Sequence, residues 1–247
     1  MTNTMPTKAK VMIGLVAAAS LCPLSFGVLN WHMPSWPQLA LLMTAAVLSS
    51  RLKVKLPGMT STMSGNLPVV LLGVMQLGLL GSLLVAATAA VAQSYASGKA
   101  KPVQFLFNVC TLMNACALAY FAYHSHWFAA HAGGSATAAS ALSLVMAAVA
   151  YFLANTAPVA SIIGLTENSS PFALWHKVFL WSFPNYVVGA GLTAIVSLFT
   201  AAFTTVTGLA SLAGLMAVLF GVYQSYKMYV AHHEQTQPKT LAMAAGH

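Results

Sequence analysis

The sequence predicts an all-α fold, a polytopic integral membrane helical bundle of about eight transmembrane helices. Three observations carry that expectation. Hydrophobic residues make up 59% of the chain and charged residues 5%, with a mean hydropathy of +0.78, whereas a soluble domain carries roughly a quarter charged residues. The run from Pro102 to Tyr123 holds no formally charged residue and, at about 1.5 Å rise per residue, crosses a hydrocarbon core of about 30 Å. Third, the nine lysines and the lone Arg51 fall on one face when eight spans are threaded alternately.

Taken in order, residues 1–10 form a polar segment ending in Lys8 and Lys10, and Val11 to Asn30 form the first span. The arrangement resembles a signal peptide. Leu21 before Cys22 is wrong for the small residue of a lipoprotein cleavage site, so the segment reads as an uncleaved span. Trp31 and Trp36 bracket a short interfacial turn. A second span, about Gln38 to Ser50, ends at Arg51, Lys53 and Lys55. Leu56 to Pro68 is uncharged, rich in Gly, Ser, Thr and Met, and bounded by prolines. It is read as a loop, a short strand or a partly re-entrant segment, because irregular backbone at membrane depth must face protein or water.

Leu67 to Leu80 and Ser82 to Ser97 form two short spans broken near Gly78 and Gly81, and Lys99 to His126 contains the fifth. A sixth runs from about Ala138 to Thr156. The stretch FALWHKVFLWSF, with Trp175, His176, Lys177 and Trp181, suggests an amphipathic helix lying in the interface. Spans seven and eight cover about Pro184 to Phe203 and Leu209 to Val230. The organisation is therefore a segment at 1–10, one transmembrane domain at 11–230 and a polar tail at 231–247. Cations at one face only make that face cytoplasmic, with both termini there.

Chemistry inside such a body would need polar groups. Gln104, Asn108 and Thr111 lie four and three residues apart, so they share a helical face. With Asn155 and Asn185 they are the candidate ligand-binding set, a polar lining for a small uncharged or zwitterionic ligand, since amides in lipid need partners. The competing role is interhelical hydrogen bonding that fixes packing. His124, His126 and His131 could bind a metal or sense pH. Their spacing matches no strong metal motif and lacks an acidic helper. Cys22, Cys110 and Cys116 show no CxxC pattern and read as buried free thiols.

There is no aspartate, and the only acids are Glu167 and Glu234. Paired-carboxylate catalysis is therefore excluded within the chain. No GxSxG, HExxH, P-loop or dinucleotide motif occurs. No enzyme activity and no cofactor are expected. The net charge of +8 reads as anchorage on anionic headgroups. It does not read as a nucleic-acid surface, because no basic run interleaves with aromatics.

The stretches KPVQFLFNV (Lys101 to Val109), ASIIGLTENSSPFALWHKVFLWSFPNYVVGA (Ala160 to Ala190) and LPGMTSTMSGNLP (Leu56 to Pro68) resemble MASE-type membrane-embedded sensor regions. These precede diguanylate cyclase and related output domains of bacterial signalling proteins. The resemblance implies an input module in the bacterial cytoplasmic (inner) membrane. Only eighteen residues follow Tyr229, so no output domain is expected within this chain and action through a membrane or cytoplasmic protein partner is implied. The alternatives are a small-molecule transporter or its substrate-binding subunit, and a structural subunit of a membrane complex.

Overall fold

The computed structural model describes residues 5–31, 35–55, 62–96, 101–130, 135–199 and 206–244. Helices dominate. α1 (Thr7–Leu29), α5 (Pro102–Tyr123) and α7 (Ala136–Glu167), with the Gly208–Ser225 part of α10 (Val206–Ala244), are long and apolar enough to cross a membrane. The chain is thus built as a multi-pass membrane protein. By length and composition it has four spanning helices among the described residues, or five if the bent pair Pro171–Phe179 and Phe183–Leu198 is one span. This corrects the expectation of eight.

The shortfall has a physical cause. α2 (Trp36–Ser50) has 15 residues and α3 (Leu67–Gln76) has 10, lengths of about 22 and 15 Å. α4 (Leu79–Ala96) is also short. α3 needs no spanning length because it is not a lipid-facing element. Leu67 to Val74 are all buried, as expected of a helix apolar all round and enclosed by others. It packs among α2, α4, α5 and α9 (Phe183–Phe199).

Proline fixes several helix starts where its missing N–H costs nothing, at Pro37, Pro68, Pro102 and Pro171. Ser135 caps α7 by accepting the Ala138 N–H at 3.1 Å. α7 runs past its expected end at Thr156, through Pro158, to Glu167. Its end is closed by Asn168 in the left-handed region (φ 54°), with the Asn168 and Ser169 N–H groups both donating to the Gly164 carbonyl.

The passage from Leu56 to Pro68 is partly strand. β1 (Lys53–Lys55) and β2 (Thr62–Ser64) pair antiparallel, Val54 opposite Met63. Residues 56–61 lie outside the described residues, and the re-entrant reading falls there. The stretch expected as an interfacial helix is helical, built as α8 (Pro171–Leu174), a π turn (Trp175–Phe179) and a 3₁₀ turn (Leu180–Ser182). α6 (His126–Ala130) is a single short turn after α5. The expected polar tail is not separate, because α10 continues as helix to Ala244.

Side-chain contacts give the relative directions. Asn114 of α5 donates to the Val16 carbonyl at 3.0 Å, and Phe26 meets Phe121 at 5.9 Å, so α1 and α5 run parallel. Tyr95 meets Phe105 at 6.0 Å, which makes α4 and α5 antiparallel. Gln38 bonds Gln76 at 2.8 Å, and Ser50 bonds the Ala89 carbonyl at 3.1 Å. Val159 and Ile162 of α7 pack on Ile13, Val16, Phe107 and Cys110. Lys10, Arg51, Lys101 and Glu167 therefore share one end of the bundle.

At Gly164 the close approach is to backbone, which cannot move aside as a side-chain tip can. A Cβ there would sit 2.9 Å from Pro171 Cγ and 3.0 Å from both Pro171 N and Ser169 O. Gly164→Val should lower stability by about 1–3 kcal/mol through overpacking, read as a lower melting temperature in detergent. Gly191→Ala, with nothing within 4 Å of the added Cβ, should not lower it.

Candidate functional site

The polar and aromatic groups that converge most densely lie between α7, the π turn and α9. Phe152 of α7 is the hub, with ring centroids 5.8 Å from Trp175, 5.2 Å from Phe183 and 5.0 Å from Tyr186. One α7 turn further on, Thr156 accepts the Trp175 indole N–H at 2.9 Å and donates its own hydroxyl to the Phe152 carbonyl at 2.7 Å. Asn155 donates Nδ2 to the Tyr186 hydroxyl at 3.0 Å. Tyr151, Phe152, Thr156 and Tyr186 are buried. Each polar group so held is satisfied within protein, as a low-dielectric surrounding demands.

Of the five sequence candidates, only Asn155 belongs to this node. Gln104 and Asn108 are exposed on the first two turns of α5. Gln104 Oε1 accepts the Lys101 backbone N–H at 3.3 Å, half of a capping box. Thr111, one turn further, is 2% exposed, and its hydroxyl has no partner. Asn185 lies on the exposed side of α9, one residue before the buried Tyr186. The inward orientation expected of Gln104, Asn108 and Asn185 is therefore corrected. Near a span's end an amide can reach headgroups and water, so exposure there costs little. Gln104, Asn108 and Thr111 do line up along one side of α5, leading from the exposed end to the orphan hydroxyl. The structure does not bring them together with Asn185 around a cavity.

Other amides act between helices. The Asn114 bond to Val16 and the Gln38–Gln76 pair are the packing role weighed against ligand binding. A groove at the opposite end, between Gly27, Asn30 and Trp31 and the Gly78–Gly81 turn, offers about 20 Å³, room for a water and not for a metabolite.

The histidines separate likewise. His124 Nε2 lies 3.1 Å from the Val74 carbonyl, and its ring sits 4.3 Å from Tyr120 and 5.1 Å from Tyr123. It closes the end of α3. His126 is exposed at the start of α6, and His131 lies outside the described residues. Among the described residues no three of His, Cys, Asp and Glu gather as a metal site. All three cysteines are free thiols; Cys110 and Cys116 are buried as expected, whereas Cys22 is exposed on α1, which corrects the expectation that it too is buried.

The chain matches no family model, no curated protein and no solved structure. The functional reading therefore rests on geometry and on the sequence patterns alone. Reasoning from sequence missed Tyr151, Phe152, Thr156, Trp175 and Tyr186 as a unit. The aromatic density of LWHKVFLWSFPNY was the available signal, but nothing in it named α7 as the partner.

Two hydroxyls test the site. Thr156→Val removes the acceptor of a buried indole N–H and should cost about 1–3 kcal/mol. Thr111→Val replaces an unpartnered buried hydroxyl with a methyl group and should be neutral or stabilising. Thermal melts of both variants in one detergent check this pair. A destabilised Thr111→Val would show that the hydroxyl has a bound partner.

Proposed function

We propose that the chain is an integral membrane sensor or signalling module with no catalytic centre of its own, acting through a partner protein reached by α10. The observation that carries this reading is the continuity of α10. It is apolar over Gly208–Ser225 and continues as one helix to Ala244, so the 19 residues after Ser225 extend about 28 Å beyond it.

The same helix is the least enclosed of the four long spans. Buried residues make up 17% of its apolar window, against 44% for α5. Leu209, Val218, Phe220, Val222 and Met228 are exposed. A helix with few buried contacts shifts at little cost in packing, and a continuous helix carries that shift along its length, here as far as Pro238, which interrupts the hydrogen-bond ladder. Thus the tightly packed α3–α5–α7 body and the loosely attached α10 divide into an input and an output. Gln104, Asn108 and Thr111 form the candidate entry for a small uncharged ligand, and Asn155 couples α7 to α9 beside it.

The resemblance of Lys101–Val109 and Ala160–Ala190 to MASE-type regions supports the same reading. So does the gathering of Lys10, Arg51 and Lys101 at one end, which favours a cytoplasmic placement of that end in a bacterial inner membrane. Transport is the second reading. The shallow groove described above, with room for a water, gives it less support than α10 gives signalling.

A photo-crosslinking residue at Met228 or Lys239, introduced in the intact membrane, should capture one discrete protein. Crosslinks to lipid alone, together with concentration-dependent solute uptake into reconstituted vesicles, would replace the sensor with a transporter. Sidedness has its own measurement. Cysteines placed at Lys101 and at Ser125, in a background lacking the three native thiols, should react with an impermeant maleimide from opposite faces of sealed vesicles.

A further inference from the structure

The segment between α7 and α9 has two unlike sides. Trp175 and Phe179 point inward, Trp175 bonded to Thr156 at 2.9 Å and Phe179 buried. Phe172, Ala173, His176, Lys177 and Leu180 are exposed, with Phe172 at 75% and Leu180 at 39%. The π turn sets this division. The Leu180 N–H bonds the Trp175 carbonyl five residues back, the wider i→i+5 turn that recurs at functional positions in helices. The Phe172 and His176 rings stack, centroids 6.5 Å apart and planes 30° apart.

The outer side therefore carries two large apolar groups flanking two basic ones, with no acid on the segment. The segment follows the end of α7 that lies beside Lys10 and Lys101, and it is bent 56° from α9. If α9 stands across the bilayer, the segment is steeply inclined toward the membrane plane. Phe172 and Leu180 then enter the acyl boundary, and the basic groups reach outward on their stems.

We propose that the face made by Phe172, His176, Lys177 and Leu180 is a docking strip for the headgroup of an anionic phospholipid of the surrounding bilayer. Charge complementarity selects that occupant. The Lys177 ammonium meets the lipid phosphate, the His176 ring supplies a second polar contact beside Phe172, and the two apolar residues hold the acyl chains next to them. The anchor behind the strip is Trp175, so an occupied strip bears directly on Thr156 and on the α7–α9 contact. The proposal needs only membrane insertion and stands apart from the role given to α10.

Native mass spectrometry of the full chain reads it. The probe is mixed micelles containing equal amounts of dioleoylphosphatidylglycerol and dioleoylphosphatidylcholine. The chain should retain phosphatidylglycerol in preference, and Lys177→Gln should reduce that preference about fivefold, the surface contribution of one lysine. Lys177→Arg should keep it, and Lys101→Gln, at the same end but off the strip, should change it less than Lys177→Gln does. Equal retention of both lipids by the unaltered chain overturns the proposal. So does an unchanged preference in Lys177→Gln, which assigns the strip to a protein partner, or an equal loss in Lys101→Gln, which assigns the preference to the whole basic end. Lys177 is exposed, and elution and far-ultraviolet helix content of each variant confirm that a changed preference is not unfolding.

Discussion

A ten-residue helix that begins and ends inside a membrane protein must have its backbone ends answered by other parts of the protein. Hydrocarbon offers no hydrogen bonds, and each unsatisfied carbonyl there costs several kcal/mol. α3 meets this constraint with groups drawn from across the chain. The Gly73 carbonyl accepts from the Leu77 N–H at 2.8 Å and from the Ser82 hydroxyl at 3.0 Å, while Val74 is met by His124. Two further bonds tie neighbours to α3 without serving its backbone ends: Gln38 donates to Gln76 Oε1 at the same end, and the Thr193 hydroxyl of α9, bonded to the Gly189 carbonyl at 2.8 Å, lies 3.4 Å from the Pro68 carbonyl near the other. Four elements are thereby tied to α3. The small residues that line it, such as Gly73 facing Val85 and Gly189 facing Leu67, allow them to come close enough to do so.

Most of the polar residues held within the bundle are used in the same way. Asn114 joins α5 to α1, Ser50 joins α2 to α4, and Asn155 with Thr156 joins α7 to α9 and the π turn. What is left over is small in number. Among the described buried side chains, Asn66 Nδ2, Ser94 Oγ and Thr111 Oγ1 lack a partner. Of these only Thr111 continues a line of amides toward an exposed end. A ligand site in this body would therefore be narrow and polar on one side, and would form against α5.

The contrast between the body and α10 follows from packing. α5 and α7 press together through Ala115, Cys116, Ala119, Ala147 and Ala148, all buried, and such contacts resist displacement because interiors are close-packed. α10 touches the rest through few residues, chiefly Leu212 and Leu215 in the core and Leu219 beside Gly65. Lys227 over the Tyr223 ring, 5.7 Å from its centroid, marks where the apolar window gives way to polar helix. An element anchored by so little can respond to the remainder of the fold without breaking it.

Sequence alone determined the class of this protein. A chain 59% hydrophobic and 5% charged cannot remain soluble. It also located most helices, because apolar runs, prolines and glycines act within a few residues of themselves. Tertiary structure decided the rest. Whether fifteen or ten apolar residues form a span or an enclosed plug depends on what surrounds them, and that information lies in distant residues such as Ser82, His124 and Thr193. Helical spacing put Gln104, Asn108 and Thr111 on one side of α5, but it could not say which turn of that side would be covered. Asn155 and Tyr186 are 31 residues apart, and periodicity, which is a local property, carries no record of such a pairing.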